Sequence, residues 1–275
     1  MVYQKSESLI LKKRNQKIPN LIIKRSREIR LLELRTLLEK EKTINDANTC
    51  FLSMASHEFK TPLSSILSSI FLIEKYTELI ETKNEKVYIV DREKHLSKIK
   101  KSIHHLTETL NNFLSIDKLD QGKIKVKPEE TNLKLFSEDI LDEIKSLLKN
   151  GQKIAYTYYG DEIIHLDKNI LRNIYLNLLS NAIKYSGTDK EIHLDIKVRK
   201  NDIIIQVIDQ GIGITESEQE KLFTRFFRAN NVQQTEGSGL GLHIVKQYVE
   251  LIHGKISFSS KPNKGTTFKI TFPKN

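Results

Sequence analysis

The chain has a single cysteine, Cys50, in 275 residues. No disulfide can close within it, so a reducing compartment is expected. No apolar run approaches the ~20 residues that a membrane-spanning helix needs; the longest are short, as at Ile203 to Ile205. The N-terminus is rich in lysine with no apolar segment behind it, which argues against a secretory signal. Together these absences predict a cytoplasmic protein without a membrane span. There is no zinc-finger spacing, no RNA-binding aromatic signature, no internal repeat and no low-complexity tract. The formal charge is +10, and residues 1–42 hold twelve Lys/Arg against five Asp/Glu. A basic head of this kind suits nucleic acid or an anionic membrane surface, but a solvated helix face accounts for it as well. No nucleic-acid partner is expected.

Glycine is missing from Leu21 through Tyr76, and Pro62 is the only proline there. With the breakers absent, long helices are predicted. Leu31, Leu34 and Leu38 follow a heptad spacing. Glu41, Asn45 and Asn48 interrupt the seam, which resumes with Leu52, Ala55, Phe59, Ile66 and Ile73. A polar stretch, Glu81 to Asp91, breaks the pattern. Periodicity returns at Leu96, Ile99, Ile103, Leu106, Leu110, Phe113 and Ile116. Residues 43–122 therefore read as an antiparallel helical hairpin. Two helices make a thin core, so two copies are expected to bury their apolar stripes as a dimeric four-helix bundle, a homodimer. Residues 1–42 read as a tail, containing Pro19, and a signalling or coiled-coil helix.

Gly122 and Pro128 mark the boundary with a mixed region, 123–275. Strands are predicted at Lys123 to Lys127, Lys153 to Tyr159, Glu191 to Arg199, Asp202 to Asp209, Lys255 to Ser260 and Thr266 to Phe272. Helices are predicted at Leu133 to Leu148, Lys168 to Tyr185 and Gly239 to Ile252. Helices alternating with antiparallel strands suggest an α/β sandwich. The fold class expected is thus α+β: a long-helix hairpin followed by the sandwich.

Three stretches of this region carry chemistry. In "NIYLNLLSNAIKYS", Asn173 to Ser186, the apolar positions form a buried stripe, while Asn177 and Asn181 lie four apart on another face. Asparagine is a poor helix former, so two on one face suggest that their carbonyl oxygens are used. Magnesium prefers oxygen ligands and shares its shell with phosphate and water. In "DQGIGI", Asp209 to Ile214, a carboxylate and two glycines follow an apolar strand. In "GSGLGLHIV", Gly237 to Val245, three glycines run into a helix, whose N-terminal N–H groups suit phosphate. The spacing is neither the dinucleotide fingerprint nor a P-loop. Between the glycine segments lies "FTRFFRA", Phe223 to Ala229, whose phenylalanines also suit a core.

Upstream lies "SHEFKTPL", Ser56 to Leu63. Taken in order, these five stretches closely resemble the sensor histidine kinases of two-component signalling. SHEFKTPL is similar to their phosphoacceptor motif, the asparagine stretch to their asparagine box, and DQGIGI and GSGLGL to their two glycine boxes. The resemblance covers about residues 43–273 and implies an ATP-binding domain of the gyrase and heat-shock chaperone type over 123–275. It implies that Asn181 holds Mg²⁺ with Asn177 beside it, and that Lys184 and Tyr185 lie near the nucleotide. Asp209 would accept from the adenine amino group, with Gly211 and Gly213 shaping that pocket and Phe223 nearby. Gly237, Gly239 and Gly241 would flank a lid. Arg228 is the candidate for neutralising phosphoryl charge, with Arg225 a close competitor.

On the heptad count His57 falls at an outward position, where ATP carried by another domain can reach it. Glu58 beside it is a candidate general base. Pro62 is expected to kink or loosen the helix. A zinc-protease reading fails because Thr61 stands where a second histidine is needed. By resemblance, Thr61 is a candidate for the reverse, phosphatase reaction. The implied activity is ATP-dependent phosphorylation of His57 and transfer to an aspartate of a response regulator receiver domain. No receiver domain follows Phe272, so a separate protein is expected to accept. Residues 1–42 are too short for a sensory domain, so input is expected from a longer chain or from a sensory partner through the N-terminal helix. Two rivals stay open: an ATPase of the same fold that drives conformational change, and a non-catalytic scaffold. An acid-labile phosphoenzyme separates the first, and ATP binding the second.

Overall fold

The computed structural model describes residues 29–39, 41–42, 49, 53, 55–76, 85–229 and 237–274, with the side chains of 85–90 excepted. The predicted tail, Cys50, the seam residues Asn45, Asn48 and Leu52, and part of the polar turn lie outside the described residues. The chain divides into two compact units, 1–59 and 60–275. In the first, the described residues are helical, and Ile29, Leu31, Leu34 and Leu38 are exposed.

The second unit opens with helical residues 60–76 (α1), followed by α2 (Glu85–Asp120). The chain is helical through Pro62, whose ring is buried. The second helix starts at Glu85, well before Leu96, because most of the polar stretch continues the helix rather than ending it. Ser102 Oγ lies 3.4 Å from Ser65 Oγ, and the rings of Tyr76 and His95 are 5.9 Å apart. Later residues of α1 thus meet earlier ones of α2, and the pair is an antiparallel hairpin. Each helix carries two apolar stripes rather than the one predicted. Phe113 and Ile116 are buried, while Leu63, Leu67, Ile70 and Phe71 on α1 and Leu96, Ile103, Leu110 and Leu114 on α2 are exposed.

Residues 123–128 form no strand, contrary to the prediction for Lys123 to Lys127. Alternating Lys and Ile there gave a period-two signal, but the first paired backbone is β1 (Glu129–Asn132). It pairs antiparallel with β3 (Ile163–Leu166), a strand the sequence reading missed. Asn132 then caps α3 (Leu133–Ile144), accepting from Leu135 N at 3.0 Å. A short 3₁₀ turn, Lys145–Leu147, finishes that helix.

The main sheet has five strands in the order β2 (Lys153–Tyr159), β4 (Glu191–Val198), β5 (Asp202–Ile208), β7 (Gly265–Pro273) and β6 (Lys255–Lys261). Helix α4 (Lys168–Tyr185) crosses over between β2 and β4, so these two are parallel; the other pairs are antiparallel. Side chains alternate across the sheet. Ile192, Leu194, Ile196 and Val198 of β4 point inward beside Ile203, Ile205 and Val207 of β5 and Phe268, Ile270 and Phe272 of β7. Each such side chain contributes about 1.5–3 kcal/mol of burial. The apolar stripe of α4, from Ile170 through Leu178 to Ile183, belongs to the same core, and α4 packs on α6 (Gly241–Leu251). A one-turn helix, α5 (Glu216–Gln219), lies between. The long interval before α6 is needed to build the rim of the cleft described next.

Candidate nucleotide site

Helix α4 is fixed at both ends. Asp167 caps its start, with Oδ1 accepting from Asn169 N and Ile170 N at 3.0 Å each and Oδ2 from Lys127 N at 2.7 Å. At its end, Gln152 Nε2 donates to the carbonyls of Ile183, Ser186 and Gly187, and Lys149 Nζ to those of Lys184 and Ser186. These satisfy carbonyls that a helix terminus leaves open. The core-facing stripe forces the polar residues Asn177, Ser180, Asn181 and Lys184 to the opposite side, where they line one cleft. Asn177 Nδ2 donates to Asn173 O at 2.8 Å, which sets its amide; a Cβ on Gly241 would lie 2.6 Å from its Oδ1.

The floor begins where β5 ends. Asp209 is 8 % exposed. Its Oδ1 accepts from Gly211 N at 2.8 Å and Thr266 N at 3.1 Å, so Oδ2 is left for the cleft. Burial pushes this carboxyl above the usual carboxylate range, and the two backbone N–H bonds pull it partly back. Gly213, Ile212 and Thr266 line the cleft beside it.

The rim comes from the Phe-rich stretch and the second glycine segment. Phe226 has φ +62, and Gly239 has φ +69. A Cβ at position 239 would stand 2.8 Å from Phe226 C and Phe227 O, so only glycine lets the two segments touch. Phe227, Arg228, Gly237, Gly239 and Gly241 line the cleft. A Cβ on Gly237 would meet Lys184 Nζ at 2.5 Å, which marks how close that ammonium comes.

Two residues expected at the nucleotide do not line the cleft. Gly211 is buried against the carbonyl of Tyr185. Phe223 turns its half-buried ring edge-on to Phe258, centroids 5.7 Å apart. Tyr185 does line it. Of the competing arginines, Arg228 lines the cleft, whereas Arg225 pairs with Asp120 and His243. His57 is exposed and Glu58 half-buried in the first unit; Thr61 is exposed at the start of the second. Among the described residues no three His, Cys, Asp or Glu side chains cluster as a metal site.

Two family models match this chain. The His Kinase A phospho-acceptor domain covers residues 47–122, and the histidine kinase-, DNA gyrase B- and HSP90-like ATPase covers 166–275. The chain belongs to the sensor histidine kinases. Among curated relatives, a histidine kinase of Formosa agariphila is 31% identical over 86% of this chain and 17% of its own length. The autoinducer 2 sensor kinase/phosphatase LuxQ of Vibrio vulnificus is 31% identical over 88% of this chain and 29% of its own. The chain therefore spans less than a third of either relative. Among solved structures, the histidine kinase AdeS of Acinetobacter baumannii shares the fold, with a TM-score of 0.54 at 18% identity over 75% of this chain and 95% of that one.

In this member of the family the hairpin helix α2 also walls the cleft, through His105, Glu108, Thr109 and Asn112. Sequence reading missed these four. The signal was present: they recur every three or four residues, the period of a second polar face opposite the apolar seam. Their contact with the sheet domain follows from tertiary packing alone, α2 touching α6.

Proposed function

We propose that the chain is an ATP-dependent protein-histidine kinase. The γ-phosphoryl group passes to an imidazole nitrogen of His57; the N–P bond forms as the P–O bond to ADP breaks. From there it passes to an aspartate carboxylate on the receiver domain of a response regulator. The observation that carries the reading is one cleft that gathers Asn177, Asn181, Lys184, Asp209, Arg228 and four glycines from separate stretches of the chain, in a protein that also exposes His57. In this reading Asp209 Oδ2 accepts from the adenine amino group. Lys184, Arg228 and the backbone N–H groups at the start of α6 hold the phosphates. Glu58 takes the imidazole proton, and Thr61 serves the phosphatase reaction.

Magnesium fits the donors present. The Asn181 amide makes no hydrogen bond among the described residues, and the amide of Asn177 is pinned with its oxygen in the narrow gap left by Gly241. Two amide oxygens and few carboxylates suit a cation that completes its shell with phosphate and water. When bound, it neutralises phosphate charge.

The reading includes a homodimer. Leu67 is 70 % and Phe71 61 % exposed on the outer stripe of the hairpin, which is large for a monomer surface. A second copy presents the same stripe, and burying both forms a four-helix bundle. The exposed leucines of residues 29–39 continue the pairing upstream and offer a route for a sensory partner. Cytoplasmic localisation goes with this reading; no helix among the described residues is long and apolar enough to cross a membrane.

Incubation with γ-labelled ATP tests the proposal. Label should enter the wild type, resist alkali, be released by acid, and move to a receiver domain. His57→Gln should take up none. A labelled His57→Gln protein, or ATP turnover with no phosphoenzyme, would sink the reading and favour an ATPase that drives conformational change.

A further inference from the structure

His243, on α6, holds the Phe223–Arg225 segment at two points, and that segment in turn reaches α2. Its Nδ1 lies 2.9 Å from the carbonyl oxygen of Phe223, and its Nε2 lies 3.1 Å from Nε of Arg225. A carbonyl oxygen only accepts, so Nδ1 carries a proton. A guanidinium Nε only donates, so Nε2 presents a lone pair. Both contacts hold at once in one state of the ring, the neutral Nδ1–H tautomer. The other two guanidinium nitrogens of Arg225 clasp Asp120 at the end of α2, at 2.9 and 2.5 Å.

We propose that His243 is a positioning residue which, in its neutral form, clips the Phe223–Arg228 loop to α6 and so holds Arg228 and the Phe227 backbone in the nucleotide cleft. The proposal rests on the nucleotide reading of that cleft. His243 itself does not line it, so it acts through the loop. The loop needs holding. Phe226 sits at φ +62, a conformation unfavourable for a residue with a Cβ. The next two residues line the cleft, and the Phe226–Phe227 backbone meets Gly239 so closely that no side chain fits between them. The clip fastens the loop on the Phe223 and Arg225 side of Phe226, and Gly239 supports it on the other.

Protonation of the ring would turn Nε2 into a donor aimed at a guanidinium. The charged groups around it are Arg225 from the loop, Lys246 one turn along α6, and Asp120 from α2, which Arg225 already engages. Burial holds the imidazole below the usual histidine range; Arg225 and Lys246 act the same way, while the Phe223 carbonyl and Asp120 oppose them. A depressed value means that the folded state binds fewer protons. The clip is therefore complete above the ordinary histidine range and is lost as pH falls through the lowered value.

The test is calorimetric binding of AMPPNP with Mg²⁺ to the full chain, from about pH 7.5 down to about pH 5.5, across which histidines titrate. Wild type is compared with His243→Gln and His243→Leu. Glutamine can donate its amide N–H to Phe223 O and accept from Arg225, and gains no proton in this range; leucine can do neither. At the upper pH, His243→Leu should bind about fivefold to tenfold more weakly, the scale of one or two lost hydrogen bonds, with His243→Gln within about twofold of wild type. On acidification the wild type should weaken at least about threefold more than His243→Gln. Protonation of the nucleotide is common to all three proteins and cancels. A glutamine variant that follows the wild type through the whole titration overturns the clip, as does a leucine variant that binds like wild type. Wild type that fails to bind AMPPNP at the upper pH overturns the nucleotide reading, and the clip with it.

Discussion

Asp209→Asn separates stability from nucleotide recognition. Oδ1 of Asp209 accepts two backbone N–H groups, from Gly211 and Thr266. An asparagine must keep its own oxygen there, since an NH₂ facing two donors would leave all of them unpaired. Its NH₂ is then forced into the place of Oδ2, aimed at the cleft. Adenine presents an amino group to that position. One charge-assisted hydrogen bond disappears, about 2 kcal/mol, and two donors now oppose each other in a buried place, about 1–3 kcal/mol more. The sum, about 3–5 kcal/mol, is a loss of roughly two to four orders of magnitude in ATP affinity. Stability should move the other way. Burial raises the carboxyl above its ordinary value, so its share of stability is full below the ordinary carboxylate range and is lost as pH rises through the folded value. Once that carboxyl is ionised, the wild type carries a buried charge that asparagine does not. The nucleotide-free variant should unfold at an equal or higher denaturant concentration, and its advantage should shrink towards about pH 4, near the carboxylate range. Calorimetric titration with ATP and urea unfolding measure the two effects. An asparagine variant that binds ATP within about threefold of wild type, or that unfolds at clearly lower urea at neutral pH, would refute the hydrogen-bond assignment.

Gly239→Ala should weaken nucleotide binding by about tenfold or more, because the new Cβ meets the Phe226–Phe227 backbone as well as an unfavourable φ; unchanged AMPPNP affinity would contradict this. Asp167→Ala removes the cap of α4 and the partner of Lys127 N, and should cost about 1–2 kcal/mol in urea unfolding. Leu67→Asp combined with Phe71→Asp places charge on the exposed hairpin stripe. Sedimentation should then report monomers with ATP binding intact; a persistent dimer would put the interface elsewhere.

Much of the candidate site was legible because its residues violate local preference. Asparagines on a helix with a strong apolar stripe, and glycines at the start of another, are poor choices for stability and so point to use. Strands with clean alternation, such as Glu191–Val198 and Lys153–Tyr159, were equally plain. Where local pattern and tertiary pairing disagreed, the reading slipped. Lys123 to Lys127 alternates like a strand but has no neighbour to bond. Glu129–Asn132, mostly polar, is a strand because Ile163–Leu166 lies beside it. Phe223 carries a motif position, yet Phe258 is the partner its ring finds.

Periodicity and composition by themselves determined the hairpin and, for α4, both its core-facing stripe and its two ends, since these depend on residues a few positions apart along one chain segment. Three-dimensional packing alone decided which arginine enters the cleft and which is tied to Asp120. It also decided that α2 forms a wall of the cleft and that His243 bridges Phe223 and Arg225. Those outcomes include contacts between residues more than a hundred positions apart, where hydrogen-bond direction and distance choose the partner, and no local spacing encodes either.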